Sequence, residues 1–379
     1  MRAEIESLAT LDAHLRSTGS LAGCIVKSMD LRGRGAVLER VEVHNAFFLG
    51  CRLKHRTATS LAERGATVFP RLPQVPFDAY RPALYAAEDL YAGLEAGYAT
   101  TKDAVIYAWT LRDRSRLLDA GVAHALHDHF MSDGLAEAVP EPRTAVGVMG
   151  GHAVGRGTPA FVETAHLGRR LAEAGHLVLT GGGPGAMEAA NLGASLNGTA
   201  ADVEAACAHL ASVPSFEPDV GAWVGAAMEV RRRWDCTRAN VGVPTWFYGH
   251  EPPNVFGTGI AKYFDNAIRE DILLRLCGAG IIYVPGRAGT TQEIFQALTR
   301  NYYASDERQV TPMILVGRAY WQEQLPAWPL VAALASGRLM EPHVHLVDSM
   351  DEALEVVPSP SPTRRRTPPG EQPRTASDE

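Results

Sequence analysis

The chain has 379 residues, 46% of them hydrophobic and 21% charged, which is the balance of a soluble globular protein. A formal net charge of −7 excludes a broad electrostatic surface for nucleic acid, but it leaves room for a small positive pocket holding an anionic metabolite. Five scattered cysteines (Cys24, Cys51, Cys207, Cys236 and Cys277), with no Cys-x-x-Cys pair, fit free thiols in a reducing cytoplasm better than a disulfide framework or a zinc site.

Residues 1–17 carry Ile5, Leu8, Leu11 and Leu15 at helical spacing, and their acidic residues leave no signal-peptide core. No stretch reaches the roughly 18 apolar residues of a membrane span. From 21 to about 53 the texture turns to short β-like segments such as 36–43. A Gly-Cys phrase occurs at 23–24 and again at 50–51, and it reads as coincidence or a β-hairpin device rather than a solenoid. A Pro-rich strap covers 69–77, and helical patterns return at 84–97 and 103–130. His124, His127 and His129 in the latter lack carboxylates at ligand spacing, so they read as the surface of a His-bearing helix.

Pro140 and Pro142 mark a boundary, giving an expected small N-terminal α+β extension over 1–140 and a second domain over 141–357. In the second, apolar runs at 144–149, 176–180, 241–248, 281–284, 312–316 and 345–347 alternate with helical patterns at 159–174, 186–194, 201–211, 221–233, 261–277, 290–303, 320–336 and 350–357. Continuous apolar runs alternating with helices imply a doubly wound, parallel, Rossmann-like α/β sheet. From 358 to 379 the composition is Pro, Ser, Thr, Arg and Glu, and a disordered tail is expected.

Two Gly-rich turns follow strand ends. The first is TGGGPGAMEAAN at 180–191, and the second lies in IIYVPGRAGTTQEIF at 281–295. Open α/β sheets bind ligands at the carboxyl ends of their strands. Neither turn has the Gly-x-Gly-x-x-Gly spacing of a dinucleotide fold, nor the Lys of a P-loop. In the second, Gly286 and Gly289 allow close backbone approach, Thr290 and Thr291 open a helix whose first N–H groups lack partners, and Glu293 follows about one turn on. That is a phosphate cradle with a carboxylate beside it, although taken alone the stretch also fits an ordinary strand–turn–helix with a capping Thr.

Together the two motifs resemble the paired signatures of the LOG (Lonely Guy) family, roughly Gly-Gly-Gly-x-x-Gly-x-Met and Pro-Gly-Gly-x-Gly-Thr-x-x-Glu, over about residues 143–355. The family was long mislabelled as lysine decarboxylases, and its characterised members are phosphoribohydrolases that cut nucleoside 5′-monophosphates to a free base and ribose 5-phosphate. The extension resembles the larger bacterial nucleotide nucleosidases only in being there. A pyridoxal-dependent decarboxylase would need a Lys, and Lys27, Lys54, Lys102 and Lys262 all lie outside both motifs. The resemblance implies Glu293 and Arg269 as catalytic residues, with Arg275 as the alternative to Arg269. For substrate binding it implies Gly181, Gly182, Gly183, Gly185, Met187, Gly286, Gly289, Thr290 and Thr291, to which the residues themselves add Asn254 and Arg287 as candidates. It further implies a homodimer or dimer of dimers, with no metal and no cofactor.

One position departs from the pattern, because Arg287 stands where the family has the second Gly of Pro-Gly-Gly. It either adds a cation to the anion site or fills space and changes the substrate. Beyond the third strand, His250, Glu251 and Asn254 are polar candidates facing the crevice, whereas Trp246 and Phe247 read as core. Glu188 is either a second carboxylate of the site or a helix-dipole contact.

Overall fold

The computed structural model describes residues 2–72, 75–81, 83–113, 118–247 and 251–360, and among them two parallel sheets organise the chain. The first is built from β1 (Glu4–Ile5), β2 (Ile25–Lys27), β3 (Phe47–Leu49) and β4 (Thr67–Phe69), in that order. Ile25 pairs with Phe47, and Phe47 with Thr67, so each coil returns after 20 to 22 residues. This register makes Gly23, Asn45 and Gly65 equivalent, and all three have positive φ, at 71°, 57° and 86°. Ser28 and Gly50 form a second equivalent pair, at 51° and 65°. A short coiled repeat is therefore present, and the expected hairpin is corrected because every pairing runs parallel. The two Gly-Cys copies fall on opposite ends of a coil, so they are unrelated to the true period. Its apolar core includes Leu11, Leu21, Val26, Phe48 and Leu61.

The second sheet has seven parallel strands: β5 (Ala145–Met149), β6 (Leu177–Thr180), β7 (Asn240–Gly242), β8 (Gly259–Ile260), β9 (Gly280–Tyr283), β10 (Met313–Val316) and β11 (Val344–Val347). Their spatial order is β11-β10-β9-β5-β6-β7-β8, so the chain winds one way from β5 and then reverses across it to β9. The reversal opens a crevice at the carboxyl ends of β5, β6 and β9, where such sheets take ligands. Strand residues are buried on both faces, as helices cover both. On one of them Pro159–Glu173 packs tightly on Ala186–Ser195: a Cβ at Gly168 would lie 2.2 Å from the Ala190 carbonyl oxygen, and one at Gly193 would lie 1.7 Å from that of Ala165. The described residues between Phe77 and Val139 contribute to the main core, with Phe77, Tyr85, Ile106, Met131 and Leu135 clustering with Trp246, Phe264 and Ile281. Tyr85 and Ile260 exchange backbone hydrogen bonds, extending the β8 edge.

Several local expectations are corrected. Residues 36–43 form no strand; Gly35–Leu38 is a helical turn. The 84–97 pattern breaks into Ala87–Leu90 and the 3-10 turn Leu94–Ala96, with a further 3-10 turn Tyr98–Thr100 beyond it, because Gly93 and Gly97 take φ of 92° and 106°. The 103–130 pattern becomes Lys102–Asp113 and Leu118–Ala138, with 114–117 outside the described residues. The third strand ends at Gly242, and a separate β8 follows. Residues 320–336 divide into a π-turn, Tyr320–Gln324, and a helix, Trp328–Ala335, since Pro326 and Pro329 cannot continue a hydrogen-bonded helix. The expected tail lies outside the described residues from 361 onward, as does His250.

Candidate functional site

A cleft of about 330 Å³ opens at the switch in strand order, lined by the turns after β5, β6, β7 and β9. These turns are braced against one another by glycines. A Cβ at Gly185 would lie 2.5 Å from the Gly151 carbonyl oxygen, and one at Gly286 would meet Thr290 Oγ1 and come within 3.1 Å of Gly151 N. The Gly151 amide donates to the Pro285 carbonyl across the two turns, at 3.2 Å.

Glu293 sits on the inner wall, on the helix Ala288–Tyr302, and is 8% exposed. Arg269, on the helix Asn266–Leu276, brings Nη1 to 3.5 Å from Glu293 Oε1. Its guanidinium is oriented by Asn266, whose Oδ1 accepts from Nε at 3.0 Å and from Nη2 at 2.6 Å. Burial pushes the Glu293 carboxyl up to about 7, Arg269 works against the shift, and neighbouring Glu270 adds to it. Arg275, the alternative, is exposed and takes no part in the cleft wall.

The start of the same helix also lines the cleft. Arg287 occupies its N-cap position with no side-chain cap, so the amides of the first turn have no partner within the helix. Arg287, Gly289 and Thr290 line the cleft, and Gly289 has open space where a Cβ would stand. The Arg287 side chain is exposed, with no ion pair or hydrogen bond among the described residues. It lines the cleft without being tied down elsewhere among the described residues. From the first motif, Gly181, Gly183 and Met187 line the cleft, the Met187 thioether lying against both glycines.

Other expected binding residues lie behind the surface. Gly182, at φ 71°, is packed on Pro244, and its carbonyl accepts from the Asn254 amide. Asn254 is buried, with its side-chain amide spent on the Gly183 carbonyl at 3.0 Å and on Asn191 Oδ1 at 2.9 Å. It therefore braces the Gly-rich turn. Gly185 and Gly286 hold the turns together, the Gly286 carbonyl accepting from the Tyr320 hydroxyl at 2.6 Å. Thr291 is half-buried, and its hydroxyl donates back to the Arg287 carbonyl.

Glu251 lines the cleft and pairs with His152 on the turn after β5, at 3.2 Å. Its carboxyl is raised by burial, against the pull of His152, Arg269 and Lys262. Glu188 is not a second carboxylate of the cleft. It is fully buried, and Arg156 donates to it from Nε at 3.0 Å and also from Nη2. Trp246 is core, as expected, but Phe247 is exposed. His127 is buried between the Tyr85 hydroxyl and Asp128, at 2.9 Å and 3.1 Å, so it is no surface histidine.

The sequence reading missed Asn266, His152 and Arg156. Asn266 was detectable as a polar residue three positions before Arg269 on the same helix face. His152 and Arg156 followed a visible Gly-Gly turn, but nothing local shows what that turn faces.

Residues 143–201, which include the first Gly-rich motif, match the model of the SLOG cluster4 family. None of the curated proteins compared matches the chain. Among solved structures, the molybdenum cofactor binding protein of the phototrophic bacterium Rippkaea orientalis is similar at 19% identity and a TM-score of 0.34, covering 56% of this chain and 94% of its own. The Moco carrier protein of Chlamydomonas reinhardtii is similar at 19% identity and a TM-score of 0.33, with the same two coverages. Over residues 143–201 the chain thus stands in a LOG/SLOG family relationship.

Proposed function

We propose that this cleft hydrolyses the N-glycosidic bond of nucleoside 5′-monophosphates, releasing a free base and ribose 5-phosphate. The observation that carries the reading is what one cleft brings together: a buried carboxylate, Glu293, held 3.5 Å from Arg269, and the uncapped N-terminus of the same helix with an Arg287 that has no partner among the described residues. An uncapped helix start favours an anion, and a guanidinium suits phosphate oxygens. The phosphate is seated there, and this remote binding energy fixes the ribose against Glu293. As the C1′–N bond breaks, its electron pair leaves with the base, which takes up a proton. Glu293 in its ionised form stabilises the positive charge developing on the sugar and orients the water that adds to C1′. Arg269 keeps part of the carboxylate population ionised and holds it in place.

The reading further proposes a cytoplasmic enzyme with no metal or cofactor in the reaction, acting as a homodimer or dimer of dimers, a state that sedimentation measures directly. Ribose 5-phosphate release from AMP, GMP, IMP, CMP and UMP, with Glu293→Gln as control, tests the activity. Release that is lost in the variant is the expected result. Saturable binding of the same nucleotides without release refutes hydrolysis and makes the cleft a nucleotide-binding site.

A further inference from the structure

A second cavity, of about 470 Å³, lies at the carboxyl ends of β2 and β3 in the small coiled sheet. It is far more polar than its position between two apolar cores requires. Three cations line it, Arg52, Arg71 and Lys102, and none is ion-paired with a carboxylate among the described residues. Two carboxylates line it as well, but both are engaged. Asp30 accepts from Arg32 Nε at 2.9 Å and is held down at about 2 by that contact, while Asp78 accepts the Tyr80 amide at 3.0 Å. In a chain of net charge −7, a cavity lined by three cations against two carboxylates, one of them already paired with Arg32, is locally positive, which marks a binding preference, not an average surface.

The wall is also preformed. Gly50 takes φ 65° so that the chain turns under the Tyr80 ring, where a Cβ would come within 2.3 Å of Tyr80 Cδ2. Lys102 opens the helix Lys102–Asp113, and the next residue, Asp103, anchors that turn. Asp103 is buried and accepts from Lys262 Nζ at 2.6 Å and from Trp246 Nε1 at 2.9 Å. Lys102 is therefore delivered to the cavity from a fixed backbone, with its ammonium 5.4 Å from the Tyr85 ring centre. Burial and nearby Arg81 lower the Lys102 ammonium from its ordinary value, a strain that a bound anion relieves.

We infer that this cavity is a second ligand site, separate from the cleft, for a small phosphate-bearing metabolite contacted by Arg52 and Lys102. Its size lies in the range of small-molecule sites, and Leu72, Val75 and Pro76 supply an apolar wall for an organic portion.

Inorganic pyrophosphate serves as the probe, titrated calorimetrically at low salt into the full-length protein. Arg52→Gln and Lys102→Gln are each expected to weaken one binding event about tenfold or more, the cost of losing a charge-assisted hydrogen bond. Arg287→Ala should leave that event unchanged, and removes any second event that belongs to the cleft. Arg52 is exposed and makes no ion pair among the described residues, so its variant keeps the fold, which an unchanged thermal midpoint verifies. Wild-type affinity in both Gln variants, or no pyrophosphate event besides one abolished by Arg287→Ala, overturns the inference. Failure of the cleft reading has a different signature: a single event, sensitive to Arg52 and Lys102 and indifferent to Arg287.

Discussion

Replacing Glu293 by Gln should separate stability from pH in a way that measures how deeply this carboxylate is buried. Its folded-state value of about 7 lies well above the ordinary value of 4.5. Between those two values the folded chain holds a proton that the unfolded chain has released, so stability falls as pH rises through the window. At about 1.36 kcal/mol per unit, the wild type should lose roughly 2 to 3 kcal/mol relative to Glu293→Gln between about pH 5 and about pH 8. Urea midpoints of both proteins, followed by tryptophan fluorescence at the two pH values, give this as a difference of differences in which all other titrating groups cancel. A change below about 0.5 kcal/mol would refute the desolvation argument. Activity should run the opposite way. If the ionised carboxylate stabilises the sugar cation, kcat/KM rises with pH and levels off above about 7, where the fold is paying most for the charge. A rate that falls across that window would assign Glu293 the role of a proton donor instead.

Two further outcomes test the cleft and the core behind it. Arg287→Ala should raise KM for nucleoside monophosphates about 10- to 100-fold without moving the thermal midpoint, and should leave any turnover of the unphosphorylated nucleosides unchanged. Equal losses for both substrate classes would remove Arg287 from phosphate recognition. Arg156→Met strands the Glu188 carboxylate in the core and should cost about 3–5 kcal/mol, while the double change with Glu188→Leu recovers most of it. A single variant less than about 1 kcal/mol down in urea unfolding would contradict the buried pair as drawn.

Much of the seven-stranded sheet and its cleft was legible in the chain itself. Buried parallel strands are continuous apolar runs, so Ala145–Met149, Leu177–Thr180, Gly280–Tyr283 and Met313–Val316 stand out, and the glycines that end two of them mark the turns. Glu293, Gly289 and Thr290 are close in sequence because one helix start carries them all. Arg269 was placed by resemblance, and what decided between it and Arg275 was which face of Asn266–Leu276 turns inward. Where contacts join distant segments, local pattern was silent. Asn254 reads as a ligand residue because it is polar and lies beyond a strand, yet its amide is consumed under the Gly-rich turn by Asn191, 63 positions away. Glu188 reads as a site carboxylate until Arg156, 32 positions earlier, is found against it. The coiled sheet hid for a related reason. Its strands are two or three residues long, and its repeat is carried by left-handed backbone positions that Gly23, Asn45 and Gly65 fill in turn. Composition and period therefore determined the sheet, its glycine turns and the loop bearing the carboxylate, since each depends on neighbours along the chain. Tertiary packing alone decided which polar groups were left free to meet a ligand, because a buried donor or acceptor takes whichever partner the fold brings within reach.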